Sequence, residues 1–214
     1  ALTELLRVTR DIFIRTLCLT LSFAFFYNRA NALDVGTAVV AANVILLQLE
    51  NWLSYGVDGF AFAAESLVGK YHGAEKPVEL RRVIRLIFAW GMGFSTIYAL
   101  VYALGNTHLL GLFAPENAAP ETLAAAVYYL PVVVAFCLLA TPCYLLDGIY
   151  IGLTAARAMR QTMLLAFAGY LFSYYLVGDH YANWGLWGSW LAFMVLRAGI
   201  QYWWLRTGRI GIKY

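Results

Sequence analysis

Long apolar segments constrain the fold of this chain more than any other feature of its sequence. Residues 122–146 illustrate the pattern, because twenty-five consecutive residues carry no charged side chain and are apolar on every side. A helix needs about 20 apolar residues to cross about 30 Å of hydrocarbon. Membrane-spanning strands would instead alternate apolar and polar residues over short segments. The pattern therefore predicts membrane-spanning α-helices.

The composition argues against a soluble domain. Of the 214 residues, 62% are hydrophobic and 13% are charged, and the mean hydropathy is +0.68. Soluble domains have roughly 45–50% apolar and about 25% charged residues. We therefore interpret the chain as an integral membrane protein. We expect no cleavable signal peptide, because the first apolar segment is too long for one and others follow it. We also expect the sequence to be a piece of a longer protein.

Six segments are long and apolar enough to span a membrane. The predicted spans are residues 11–27, 35–68, 83–104, 122–151, 159–177 and 184–205. Short polar or Gly- and Pro-containing connections separate them. The predicted fold class is an all-α membrane protein, with residues 1–214 forming a single bundle of six transmembrane helices.

Basic residues predict the orientation, because Lys and Arg accumulate in cytoplasmic loops. Placing both termini in the cytoplasm puts thirteen of the fifteen basic residues inside, Lys213 among them. Trp184, Trp187 and Trp190 would then lie near the outer headgroup region, which suits their amphipathic rings. The predicted outer loops carry the acidic residues Asp34, Glu116, Glu121 and Asp179.

Three carboxylates fall within the second predicted span, Glu50, Asp58 and Glu65. Asp58 and Glu65 differ by about 20° around a helix and Glu50 lies about 80° from Asp58, so all three project toward one broad side. Charged groups in a span cost at least about 2.5–3.5 kcal/mol at its centre, so they face a cavity or a partner. We predict that this side, together with Asn43, lines an aqueous path. Gly56 and Gly59 flank Asp58 and permit close approach of a backbone or a ligand.

The fourth predicted span contains Pro131 and Pro142, and Asp147 follows just beyond Pro142. Each proline removes a helix hydrogen bond and frees a carbonyl one turn back. An interrupted helix with a nearby carboxylate is a recurring cation site in membrane proteins, which makes Asp147 a candidate cation ligand. The alternative is that Pro142 only bends the helix and that Asp147 pairs with an arginine near the inner face.

Two intramembrane arginines require partners. Arg15 and Glu65 both fall toward the inner face, so we predict a structural ion pair between them. Arg197 would balance either Asp58 or Asp147. Glu50, the deepest carboxylate, is either a functional group that is protonated part of the time or a packing residue with hydrogen bonds, and the sequence leaves both alternatives open.

Cysteine and histidine positions predict neither a metal site nor a cofactor. Cys18, Cys137 and Cys143 lie within apolar segments and are interpreted as small packing residues without disulfides. The three histidines fall in separate predicted loops. No phosphate-binding loop or serine elbow is present in the sequence, and we expect neither an enzyme nor a nucleic-acid partner.

Three segments carry a resemblance to a known family: "AANVILLQLENWLSYGVDGFAFAAESLVGKYHGA" (residues 41–74), "YLLDGIYIGLTAARAMRQTML" (residues 144–164) and "RDIFIRTLCLTLSFAFF" (residues 10–26). They are similar to the eighth, tenth and seventh helices of the multidrug and toxic compound extrusion (MATE) transporters, in their DinF branch. Tyr55 lies within the first of these segments, and we include it among the candidate cavity residues.

The resemblance implies one lobe of a twelve-helix antiporter. Such transporters exchange a proton or a sodium ion for an organic, often cationic, compound, as two six-helix lobes rock around a central cavity. This chain is similar to the C-terminal lobe, so an N-terminal six-helix lobe is an implied partner, besides membrane lipids and a small organic substrate. By position, Asp147 matches the tenth-helix aspartate implicated in cation coupling. The implied location is the bacterial inner membrane, with multiple passes.

Three alternatives were weighed against an exporter. A lipid-linked-precursor flippase of the same broader superfamily would need a cavity lined with cations to hold pyrophosphate. The charged residues within the predicted spans are instead mostly acidic. A membrane enzyme would need a nucleophile, a metal cluster or a paired acid and base, and only the carboxylates could serve. A purely structural helical module would not explain the cost of so many intramembrane charges.

Overall fold

The computed structural model describes residues 2–114 and 118–210. Glu116 and Lys213, used in the orientation argument, lie outside these residues. The described residues form six α-helices and one short 3₁₀ turn, Gly178–Tyr181. The helices are α1 (Leu2–Ala32), α2 (Thr37–Gly73), α3 (Pro77–Phe113), α4 (Pro120–Gly152), α5 (Ala156–Leu176) and α6 (Ala182–Arg206).

Each predicted span corresponds to one helix. Helices α1 and α3 run beyond both predicted ends by up to nine residues, since their polar ends continue the helical hydrogen bonding, whereas α2 begins two residues after its predicted start. Proline lies at the first position of both α3 and α4, where its fixed φ favours helix initiation and its missing N–H costs no bond. Among the residues that the structure describes, two segments qualify as membrane spans by length and composition alone, Pro77–Gly105 and Pro120–Gly152. The number of spans and the cytoplasmic termini stay predictions.

The helices form two groups of three. Helix α2 packs mainly against α4 and α3, whereas α5 packs against α6 and α1. The contact between α4 and α6 joins the two groups. Side chains on α6 therefore meet side chains from both α2 and α4, and several of the buried polar groups lie at this junction.

Aromatic rings fill the core beside this junction. Trp187 and Trp190 are fully buried, and the Trp190 ring packs against Phe23, Phe26 and Tyr170 at centroid distances of 4.8–5.7 Å. Both side chains are enclosed by the protein rather than exposed to lipid headgroups, and their depth in a membrane stays a prediction. Both indoles are turned inward, because each N–H donates to a polar group on α2.

Two glycines allow α2 and α4 to pack backbone to backbone. A Cβ atom placed on Gly148 would lie 2.2 Å from the carbonyl oxygen of Ala61, and one on Gly152 would lie 2.7 Å from that of Glu65. Contact distances this short leave no room for any side chain. The glycines after Asp147 thus hold the helix pair together and bring Asp147 close to α2.

Helix α4 runs without interruption through Pro131 and Pro142, so the predicted interrupted helix is wrong. Beside the turn that Pro142 leaves unbonded, the Cys137 carbonyl accepts hydrogen bonds from the hydroxyls of Ser95 and Thr141. The structure follows the alternative in which Asp147 pairs with arginine. The three cysteines are buried and unbridged, as predicted.

Candidate functional site

Asp147 lies at the junction of α1, α4 and α6 and receives three side-chain donors. The guanidinium groups of Arg15 (α1) and Arg197 (α6) both donate to its Oδ2, and the amide of Gln201 donates to Oδ1 at 2.7 Å. Asp147 is 6% exposed and Arg197 is 0% exposed. Burial of a charge is tolerated only with such compensation. One carboxylate therefore fixes two cations in the interior.

The partner predicted for Arg15 is wrong. Arg15 pairs with Asp147, and within the described part of the chain Glu65 has no ion pair. Helix α1 packs on α5 and barely contacts α2, which leaves Glu65 half-buried on a face that Arg15 does not reach. Of the two carboxylates predicted for Arg197, the structure pairs it with Asp147.

Asp58 lies beside this cluster without joining it. Its side chain is half-buried and interacts electrostatically with Asp147 and Arg15. The close approach predicted at its flanking glycines occurs on one side only, where a Cβ on Gly56 would lie 2.6 Å from the Phe94 ring, whereas Gly59 has open space around it. Asp58 is therefore the carboxylate of this region that remains accessible to a ligand.

Glu50 lies in a separate and drier environment between α2 and α6. It is 1% exposed, and the indole N–H of Trp190 donates to both of its carboxyl oxygens, at 2.8 and 3.1 Å. None of the described ion pairs includes it. Two buried carboxyls of the same lobe thus have opposite surroundings, since Asp147 has two cations and Glu50 has one neutral donor.

The two remaining candidate cavity residues, Asn43 and Tyr55, have different positions. The Asn43 amide exchanges hydrogen bonds with Asn183 at 2.7 and 3.1 Å, and its oxygen also accepts from Trp187 at 2.8 Å. Both asparagines are buried, so this network links α2 to α6. Tyr55 is 74% exposed and takes no part in this network.

A polar stripe on α6 connects these sites. Along the chain, consecutive residues of this stripe are four, three, seven and four positions apart. This spacing places them on one face of the helix over a length of about 27 Å. That length is close to the roughly 30 Å of a bilayer's hydrocarbon core. The stripe consists of Asn183, Trp187, Trp190, Arg197 and Gln201, all buried.

Sequence reasoning missed two partners in the interior. Gln201 donates to Asp147, and its own backbone carbonyl accepts from the Tyr150 hydroxyl at 2.7 Å. Asp11 is buried and pairs with Arg160 of α5 at 2.5 Å. The four- and seven-residue spacing of polar residues on α6 was a signal for Gln201. Asp11 gave no signal, because it lies at the end of a predicted span, where charged residues are common.

Comparison with known proteins assigns the family. The MatE family model matches residues 12–177. The chain belongs to the MatE family. Members of this family are membrane transporters.

The MatE chain is also similar to a characterised relative. It is 31% identical over 197 residues to DNA damage-inducible protein F of Escherichia coli (strain K12). The alignment covers 91% of the chain and 41% of the relative. The resemblance to the DinF branch is thereby confirmed, and the chain spans less than half the length of this relative.

Proposed function

We propose that this chain is the C-terminal lobe of a MatE antiporter in a bacterial inner membrane, one that exports organic, often cationic, compounds in exchange for protons or sodium ions. The observation that carries the proposal is the compensated carboxylate cluster inside an apolar bundle of a transporter family. A purely structural bundle would gain little from such a cluster, because buried ion pairs are often no more stabilising than apolar residues. The second, N-terminal lobe of six helices is the proposed partner.

The proposed mechanism is competition at Asp58 and Asp147. The two carboxylates and the arginines Arg15 and Arg197 make a nearly neutral set. A proton or sodium ion on either carboxylate adds a positive charge and weakens the hold on Arg15, which links α1 to α4. Only a difference in affinity between two conformations can shift their populations. Ion binding would therefore favour one arrangement of α1, and the substrate the other.

The structure gives less support to a lipid-linked-precursor flippase. Such a protein requires unpaired cationic side chains, because charge-assisted hydrogen bonds from them would hold the pyrophosphate. Both Arg15 and Arg197 are already engaged with Asp147. We therefore keep the exporter as the proposed function.

The experiment is ethidium efflux from cells that produce the full-length protein. We expect Asp58→Asn and Asp147→Asn to reduce efflux at least about tenfold, which corresponds to about 1.4 kcal/mol of lost coupling energy. The matched control is Asp34→Asn, because Asp34 is exposed between α1 and α2 and should leave efflux unchanged. Equal membrane abundance is verified by immunoblotting. Undiminished, ion-coupled efflux in both variants would rule out the mechanism.

A further inference from the structure

The environment of Glu50 differs from that of every other carboxylate in the described helices. Its two oxygens share one indole N–H. Arg197 lies seven residues beyond Trp190 on α6, which is about 10 Å along the helix, and its guanidinium is already bound to Asp147. No cation of the described helices therefore compensates Glu50.

The titratable groups that face Glu50 from the neighbouring helices are all neutral at physiological pH. The Tyr102 hydroxyl of α3 donates to the adjacent Leu49 carbonyl at 2.8 Å and not to Glu50. The Tyr170 hydroxyl of α5 is buried and has no hydrogen-bond partner among the described residues. The groups in electrostatic contact with Glu50 are Tyr27 of α1, Cys137, Cys143 and Tyr144 of α4, and Tyr170 of α5.

A carboxylate in such a place must take up a positive charge. An unpaired ionised group in an apolar interior costs several kcal/mol, and proteins avoid this cost by neutralising the group. Hard cations need several oxygen ligands, but the one hydrogen-bond partner of the Glu50 carboxyl among the described residues is the Trp190 N–H, which is a donor, and no cluster of three or more acidic, His or Cys ligands exists in the described part of the chain. A proton requires only one oxygen and is the cation that fits.

We infer that Glu50 is a proton-binding site of this lobe, separate from the Asp147 cluster. The carboxyl holds the proton while α2 and α6 are packed together. When the two helices separate, it releases the proton to water and becomes a carboxylate that is hydrated or bound to the incoming cationic substrate. Since Glu50 is 1% exposed here, exchange requires that opening. The role in antiport rests on the proposed function, whereas proton binding itself does not.

Infrared difference spectroscopy of the purified full-length protein tests proton binding directly. We expect a carbonyl-stretch band of a protonated carboxyl at neutral pH that is lost in Glu50→Gln, because glutamine keeps the acceptor for Trp190 but has no carboxyl. Glu65→Gln is the matched control, since Glu65 lies on the same helix, is half-buried and has no ion pair among the described residues. Its spectrum should keep the band. Trp190→Phe should keep the band and shift it, because the indole donor is removed.

The outcomes separate this inference from the proposed function. Loss of the band in Glu50→Gln alone supports the inference, even if ethidium efflux is absent. Absence of the band in the wild-type protein between roughly pH 5 and pH 9, a range that brackets ordinary carboxyl titration, would overturn it. So would a band that Asp147→Asn removes and Glu50→Gln retains. Should Glu50→Gln fail to fold, the band shift in Trp190→Phe decides, and an unshifted band would overturn the inference.

Discussion

A single carboxylate, Asp147, balances two arginines in the interior of the lobe. Arg197 is 0% exposed and Arg15 approaches from another helix. Removing one member of a buried ion pair costs about 3–5 kcal/mol, because the other charge is left uncompensated. The residues of this cluster therefore depend on one another for stability as well as for any role in transport.

At the residue scale, we predict that Asp147→Asn lowers the free energy of unfolding by about 3–5 kcal/mol. The double variant Asp147→Asn with Arg197→Gln should lose less than the sum of the single losses, since the uncompensated charge is removed as well. Denaturant unfolding of the purified protein in detergent measures both. The control is Arg206→Gln, because Arg206 is exposed. Wild-type stability of Asp147→Asn would contradict the structure's ion pairs.

Which residues would carry charge inside the lobe was predictable, but their partners were only partly so. Helical periodicity assigns a residue to a face of its own helix, and this sufficed to mark Asp147 and Arg197. It does not tell which helix packs on that face. Arg15 was paired with Glu65 because the two share a depth, whereas α1 packs on α5 and α6 and so points Arg15 at Asp147.

At the element scale, the α2–α4 contact depends on glycine. A Cβ atom on Gly148 would lie 2.2 Å from the Ala61 carbonyl oxygen, which leaves no room for a side chain. We predict that Gly148→Ala separates the two helices and lowers the unfolding temperature. The loss should amount to about 1–3 kcal/mol, the usual cost of overpacking a core. Thermal unfolding in detergent measures the change.

The control for this prediction is Gly59→Ala on α2. Gly59 has nothing within 4 Å of an added Cβ, and alanine has the higher helix propensity by about 1 kcal/mol. Gly59→Ala should therefore leave the unfolding temperature unchanged or raise it. Equal behaviour of the two variants would show that α2 and α4 do not pack as closely as described.

Helix positions could be predicted from the sequence, because apolar segments of this length have few alternatives to forming a helix. The inward turn of Trp187 and Trp190 did not follow, since tryptophan suits both a headgroup region and a core that offers an acceptor. Asn43 and Glu50 are those acceptors. Recognising them required knowing that α2 and α6 meet, which is a property of the assembled bundle.

At the scale of the whole molecule, two groups of three helices meet along a polar stripe on α6. Asn43, Glu50 and Asp147 reach that stripe from the other group. Apolar contacts alone would allow the two groups to pack in many arrangements. Buried polar pairs favour the one arrangement in which all of them keep their hydrogen-bond partners. A change of charge at one of these carboxylates would therefore alter the contact between the two groups of helices, as the proposed ion-coupled transport requires.

The central claim, ion-coupled antiport by a MatE protein, is tested most directly with the purified full-length protein in proteoliposomes. An imposed proton or sodium gradient should drive ethidium against its own concentration gradient, and an ethidium gradient should move the same ion in the opposite direction. Ethidium movement that ignores both gradients, or that runs in the same direction as the ion, would contradict the account.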